Sequence, residues 1–407
     1  MANIYDYLEW RGDVTFDMRP FNDVDNLVLS ILVYLDFSGV VPSEDQGGSV
    51  SLGDACKSLL QKGGGDVAPF VRSVTGMDTQ LVRLAAESQR FGDVRLSAYA
   101  DIVDPARALQ FAAIQYDLPH AGTYVAFRGT DSTLVGWREN LMISFRITAA
   151  QEEAARYLER AIIRADAPEH EASIMVGGHS KGANLAEYAA ASCSDHLRQR
   201  VTCVYSNDGP GMAPEVMPQS TRQILKDKLR LIVPVYSVIG MIFARTDEKR
   251  MVVASTASGI DQHDMATWQV RRDGMQEVDE LSPDCQRLNK SLAAWVDGIP
   301  LDERERVTNE VFDALQAGGA STFNQVGATP EAMQQVVRAL GTTDERTRKL
   351  AIDLIQRTID SSVGAMRNAT KHAFEDAVGR LLGARPQRVG VVPTRRGRPK
   401  IKVYIES

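Results

Sequence analysis

The sequence predicts an α/β protein with a mostly parallel central sheet flanked by helices. Two observations carry this reading. Between about residues 94 and 255, short apolar runs of strand length are interleaved with helical patterns. Within that region one apolar run, Ala172 to Gly177, passes at once into a helix at Ala183 to Ser192. The chain has 407 residues, of which 44% are hydrophobic, so it can bury a sizeable core and divide into more than one domain.

Taken in order, residues 1–90 read as a helical, loop-rich segment packed on the core. Phe21-Asn22-Asp23-Val24-Asp25 leads into the apolar run Leu27 to Val33, and Asn22 or Asp23 can cap that helix. Gly47-Gly48 and Gly63-Gly64-Gly65 mark loops. The core is expected over 91–285. Its strands are Val94–Ala100, Ala108–Tyr116, Thr123–Phe127, Ala172–Gly177, Val201–Ser206, Leu231–Tyr236 and Arg250–Ser255, with a helix at about 149–165.

From 286 to 383 the pattern is helical. Thr342 to Glu345 reads as a capping box, and Leu350, Leu354, Ile355, Ile359, Val363, Met366, Phe374, Val378 and Leu381 form an apolar stripe that reads as a packing face. Residues 384–407, with Arg385, Arg388, Arg395, Arg396, Arg398, Lys400 and Lys402, read as a flexible basic tail.

The composition narrows the class. A formal charge of -7 does not suit a body that coats nucleic acid or anionic lipid. Arg396-Gly397-Arg398-Pro399 has the core of an AT-hook, but four residues in a basic tail are a weak match, so nucleic acid is not the expected partner, and the tail reads as solubilising or as an electrostatic contact for anionic membrane lipid. Cys56, Cys193, Cys203 and Cys285 have no metal-ligand spacing and read as reduced thiols. The N-terminus lacks a signal-peptide pattern, and no run approaches the roughly 20 apolar residues of a membrane span. The expectation is a cytoplasmic protein without a transmembrane segment. No metal or organic cofactor is implied, and the pattern defines no oligomeric state.

The segment that carries chemistry is Ile174-Met175-Val176-Gly177-Gly178-His179-Ser180-Lys181-Gly182-Ala183-Asn184-Leu185. Gly178-x-Ser180-x-Gly182 lies between an apolar strand and a helix, the context of a nucleophile elbow in an α/β-hydrolase fold. There a strained turn lifts the serine hydroxyl above the sheet edge. Side chains at the two glycine positions would collide with the neighbouring strand and helix. The helix start points N–H groups at the site, and the Lys181 N–H supplies one oxyanion donor. His179 reads as elbow packing.

A serine hydroxyl needs a general base, and in this fold the acid and then the histidine follow the serine in the chain. His263, in a loop past the last apolar strand, is the expected base; His372 lies among charges in the C-terminal helical region. Asp208, at the end of Val201–Ser206 on a Gly/Pro turn, is the expected acid, with Asp247 its main competitor. Asp261 and Asp264 are too near His263 in sequence to reach its ring well. The second oxyanion donor is expected from Phe127-Arg128-Gly129-Thr130-Asp131-Ser132, where Thr130 offers its N–H and its hydroxyl. Trp137, Arg138 and Asn140 open a helix that lines the site or packs beside it.

Tyr124-Val125-Ala126-Phe127-Arg128-Gly129-Thr130 together with Gly178-His179-Ser180-x-Gly182 resembles the fungal-type triacylglycerol lipases. The chain resembles more closely a bacterial lipase-related family long catalogued only as a domain of unknown function. That closer likeness rests on Phe21 to Leu27, Asn207-Asp208-Gly209-Pro210-Gly211, Ser237-Val238-Ile239-Gly240-Met241, and Gln262-His263-Asp264 before Trp268, and spans roughly residues 1–275.

The resemblance implies an α/β-hydrolase fold, carboxylic-ester hydrolysis of a small-molecule or lipid substrate, the Ser180/His263 pairing, and Thr130 at the oxyanion. Two departures stand out. The fungal-type lipases carry an Asp where this chain has Ser237, so the acid has to be relocated, and Asp208 is the substitute. They usually carry Leu where this chain has Lys181, whose cation is expected in solvent rather than recruiting acidic substrates. The missing acid also motivates a different class of function, a lipase-fold binding or scaffold module without catalysis.

Overall fold

The computed structural model describes residues 1–72, 77–107, 109–130, 134–165, 173–244, 249–297, 299–321, 325–326, 329–345, 347–349 and 352. The chain divides into two compact units, Met1–Phe312 and a second that begins at Asp313. The first holds an α/β-hydrolase-like fold around a nine-stranded sheet.

Its elements follow the predicted order. Four helices, α1 (Ile4–Arg11), α2 (Asp23–Leu32), α3 (Leu52–Lys62) and α4 (Thr79–Glu87), surround the short strand β1 (Val50–Ser51). Then come β2 (Arg95–Asp104), β3 (Leu109–Leu118), β4 (Gly122–Phe127), α5 (Leu134–Phe145) and α6 (Ala149–Arg164). The heart of the sheet continues with β5 (Ile174–His179), α7 (Lys181–Ser192), α8 (Asp195–Arg198), β6 (Val201–Asn207), α9 (Gln219–Leu225), β7 (Leu229–Pro234) and β8 (Arg250–Val253). The short strands β9 (Val270–Arg271), β10 (Gly274–Met275) and β11 (Glu277–Val278) precede α10 (Pro283–Asp297) and α11 (Leu301–Gln316), and α12 (Pro330–Gly341) lies in the second unit.

The strands β1 to β8 lie side by side in chain order, with β11 on the far edge. The run β4–β8 is parallel, whereas β1–β4 pair antiparallel and β11 returns antiparallel on β8. The sheet is therefore mixed, with its parallel part where strands and helices alternate. Between β3 and β4 only residues 119–121 intervene, enough for a hairpin and too few for a crossover.

Two hydrophobic clusters hold the sheet. The β4 strand shows the period-2 logic. Tyr124 and Ala126 join the cluster formed with α1–α4, while Val125 and Phe127 join the cluster formed with α6 and α7. The N-terminal helices thus share one core with the sheet.

Caps explain where helices start. Asn22, rather than Asp23, caps α2 by accepting from the N–H groups of Val24 and Asp25, and Asp25 answers the Asn22 N–H. Thr148 and Gln151 form the same reciprocal box on α6. Near residue 342 the expected box does not form. Thr342 closes α12 by donating to the Ala339 carbonyl, and Asp344 caps the following turn through the Thr347 N–H. Thr342 is engaged at the C-terminal end of α12, so Asp344, one residue before the next turn, takes the capping role assigned to it. The four cysteines are free thiols. No described helix is long and apolar enough to cross a membrane. The C-terminal apolar stripe beyond Leu350, His372 and the basic tail lie outside the described residues, apart from residue 352.

Candidate active site

The parallel strands end at a common edge, and the predicted site residues gather there. Ser180 stands between β5 and α7 with φ 57° and ψ -126°, a left-handed conformation that non-glycine residues avoid. Its N–H donates to the Asn207 carbonyl at 3.0 Å, and its carbonyl takes up the Ala183 and Asn184 N–H groups.

The glycines on either side are required by contact. A Cβ on Gly178 would lie 2.5 Å from the Gly182 carbonyl carbon and 2.6 Å from the Phe127 oxygen; one on Gly182 would lie 2.1 Å from that same oxygen. Backbone cannot yield by such amounts, so the β4 end and the helix start close on the turn only if both residues are bare. Gly129 is constrained likewise, by the Tyr34 hydroxyl at 2.2 Å and the His179 carbonyl at 2.6 Å from its would-be Cβ. This brings the Arg128-Gly129-Thr130 segment against the elbow. Arg128 anchors it by a two-pronged pair with Asp101 on β2, at 2.8 and 3.0 Å. The Thr130 hydroxyl is buried and makes no hydrogen bond among the described residues.

Asp208 follows the last residue of β6, fully buried and with φ 48°. Its Oδ2 lies 2.6 Å from His263 Nδ1. Its Oδ1 accepts from the Ser237 hydroxyl at 2.5 Å and the Gly240 N–H at 3.1 Å. Gly209 beside it would drive a Cβ to 2.4 Å from that of Ala183, so the turn after Asp208 also needs a glycine.

His263 ends a short 3-10 turn, Gly259–His263. The turn is held by Trp268, whose indole N–H donates to the Gln262 carbonyl at 2.7 Å, and by the Tyr236 N–H on the Gln262 side chain at 3.0 Å. Asp264 is spent on the Ala266 N–H at 3.0 Å. The competing Asp247 lies outside the described residues.

Lys181 corrects an expectation. Its backbone opens α7, two residues before the expected helix start at Ala183, and its side chain does not reach solvent. Nζ donates to the Gln110 carbonyl at 2.9 Å and to Glu139 of α5 at 2.7 Å, with the side chain 1% exposed. The stem runs inward under α5 because a carbonyl on β3 and a carboxylate on α5 together satisfy the ammonium there. Arg138 turns toward α11, where it donates to the Asn309 carbonyl at 3.1 Å. The side chains of Trp137 and Asn140 lie outside the described residues.

Residue-by-residue reading missed several supports. Asn207 Nδ2 donates to Gly178 O at 2.9 Å and to Asn26 and Ser30 of α2 at 3.1 and 3.2 Å. Tyr124 donates to the same Asn26 oxygen at 2.7 Å. The Phe21–Leu27 signature is thereby explained: Asn26 stitches α2 under the elbow, and Asp25 pairs with the buried Arg90 at 2.6 Å. The presence of these polar residues within an otherwise apolar helix was the available signal.

Among the described residues no cluster of three His, Cys, Asp or Glu side chains has the arrangement of a metal centre.

The fold and this edge define a lipase-like α/β protein. The profile of the Mbeg1-like family matches residues 85–313, more than half of the 407, and the chain belongs to that lipase-related family. No curated protein and no solved structure matches the chain.

Proposed function

We propose that the protein is a serine hydrolase that cleaves carboxylic esters, with Ser180 as nucleophile, His263 as base and Asp208 as acid. The observation that carries this reading is the 2.6 Å contact between Asp208 Oδ2 and His263 Nδ1, beside a strained serine at a strand-to-helix turn. A buried carboxylate on Nδ1 fixes the imidazole so that Nε2 is the nitrogen left to work, and it stabilises the imidazolium when that forms.

In the reaction, Ser180 Oγ attacks the ester carbonyl while His263 Nε2 takes its proton. The tetrahedral oxyanion receives hydrogen bonds from the Lys181 and Thr130 N–H groups and from the Thr130 hydroxyl. The C–O bond to the leaving alcohol breaks as His263 returns the proton to that oxygen, leaving an acyl-serine. Water, deprotonated by the same imidazole, then releases the acid and restores Ser180. The unpartnered Thr130 hydroxyl supports this assignment, since a buried donor without a partner costs stability unless a ligand uses it. The substrate is a small-molecule or lipid ester.

The test is covalent labelling with a fluorophosphonate, comparing wild type with Ser180→Ala. Labelling that vanishes in the folded variant supports the proposal. A well-folded wild type that stays unlabelled rejects it in favour of the non-catalytic scaffold.

A further inference from the structure

The mechanism above leaves the imidazole of His179 unused, yet its surroundings are built with care. The ring is buried and lies against that of His263, with centroids 4.3 Å apart and planes 38° from parallel. Its Nε2 is 2.8 Å from the backbone oxygen of His263. A carbonyl oxygen only accepts, so Nε2 carries the proton, and Nδ1 is left as the acceptor for the Tyr34 hydroxyl at 3.1 Å. Tyr34 is itself fixed just beyond α2: its N–H donates to Ile31 and its carbonyl accepts from the Arg72 N–H at 2.8 Å.

This arrangement answers a mechanical need. His263 sits in a loop, and Asp208 grips its ring at one atom. A hydrogen bond at Nδ1 lies in the plane of the ring and does not by itself fix the tilt of the ring about that contact. A flat neighbour limits the tilt, and a donor on the residue's own carbonyl pins the backbone from which the ring projects. His179 supplies both, and as the residue before Ser180 it ties them to the nucleophile's own turn.

We infer that His179 is a positioning residue for His263, oriented by Tyr34, so that the N-terminal helical segment helps set the geometry of the base. The catalytic consequence rests on the serine-hydrolase reading, whereas the mechanical claim does not. Burial holds the His179 ring neutral, as the role demands, because a cation stacked on His263 would oppose the imidazolium that forms there.

The test uses the full chain and two readouts. His179→Phe keeps a ring and loses the donor; His179→Gln keeps a donor and loses the ring. The first readout, independent of turnover, is the downfield proton NMR signal of His263 Nδ1–H on Asp208, assigned by its loss in His263→Ala. The second is the rate of fluorophosphonate labelling, with kcat and KM on p-nitrophenyl butyrate. The Phe variant is expected to broaden or lose the signal and to slow labelling and kcat by about 10²-fold with KM unchanged, the scale of a small misplacement of a reacting group. The Gln variant is expected to fall between it and wild type. Tyr34→Phe is expected to move both readouts less in the same direction, and it decides the matter if the Phe variant does not fold.

A sharp, unshifted signal with wild-type labelling in a folded His179→Phe protein, or in Tyr34→Phe where that variant must decide, overturns the inference. An unlabelled wild type whose NMR signal still responds to His179→Phe rejects the hydrolase reading and leaves the positioning role standing.

Discussion

The hydroxyl of Ser237 donates to Oδ1 of Asp208 at 2.5 Å while the other oxygen of the same carboxylate meets His263 Nδ1 at 2.6 Å. Ser237, three residues past β7 and where the fungal-type lipases place an Asp, here steadies a carboxylate that arrives from the end of β6. Cys285 of α10 supports Ser237 in turn, its thiol 3.0 Å from the Ser237 carbonyl. Burial pushes that thiol up to about 11, so it remains a donor. Asp208→Asn is expected to lower kcat by about 10⁴-fold, the scale of the corresponding change in serine proteases, with binding little affected. Ser237→Ala removes one of the partners of a buried carboxylate and is expected to cost about 1–3 kcal/mol of stability. Steady-state kinetics and urea unfolding check the pair. Full activity in a folded Asp208→Asn protein would return the acid's role to another carboxylate.

Thr130 carries a buried hydroxyl with no partner among the described residues. Thr130→Val keeps the shape and the backbone N–H but removes that donor. The expected loss is about 10²-fold in kcat with fold and stability retained, since one transition-state hydrogen bond is gone and no ground-state bond is broken. A variant with unchanged kcat would remove the hydroxyl from the oxyanion site.

Lys181 is engaged internally, so it is not expected to select acidic substrates. Lys181→Met leaves the Gln110 carbonyl and Glu139 without the ammonium. The Glu139 side chain is one-quarter exposed and recovers part of its hydration, which limits the cost to about 1–3 kcal/mol, below that of breaking a fully buried pair. Urea unfolding measures this, and the ratio of kcat/KM for an anionic and a neutral ester is expected to stay within about twofold, well under the tenfold of 1.4 kcal/mol. A large fall in that ratio would place the cation at the substrate.

His179 gives stability a pH dependence whose sign follows from its burial. Burial, and then the neighbouring His263, hold its pKa well below the ordinary 6.5, so the folded chain keeps the ring neutral where the unfolded chain protonates it. The unfolded state then binds more protons, and stability falls as pH drops below about 6.5, by up to about 1.4 kcal/mol per pH unit until the depressed folded value is reached. Above 6.5 this residue contributes no slope. Urea titrations of wild type and His179→Phe between pH 4 and 8 are expected to diverge in slope on the acid side alone. Parallel curves throughout would show that the ring is not held neutral.

Much of this protein was legible in its sequence because the signals are local. Apolar runs of strand length between helical patterns define the α/β order, and Gly178-x-Ser180-x-Gly182 announces a strained turn through the sizes of its own residues. The antiparallel hairpin joining β3 to β4 was not among those readings, which expected a mostly parallel sheet, although so short a connection dictates its direction. Other features depend on residues far apart in the chain, and only folding brings them together. Asp208 and His263 are 55 positions apart, and it is the parallel edge of β6 and β8 that sets one against the other. Lys181 looked solvent-bound, because nothing near it in sequence tells that Gln110 of β3 and Glu139 of α5 lie within its reach. His179 looked like filler, because its meaning lies in Tyr34 and in the carbonyl of His263, contributed by an N-terminal segment and by the far end of the core. Local sequence determines which conformations are cheap. Which polar groups are buried together, and so must satisfy one another, was decided by the tertiary packing, because the need for a partner arises only when water is excluded.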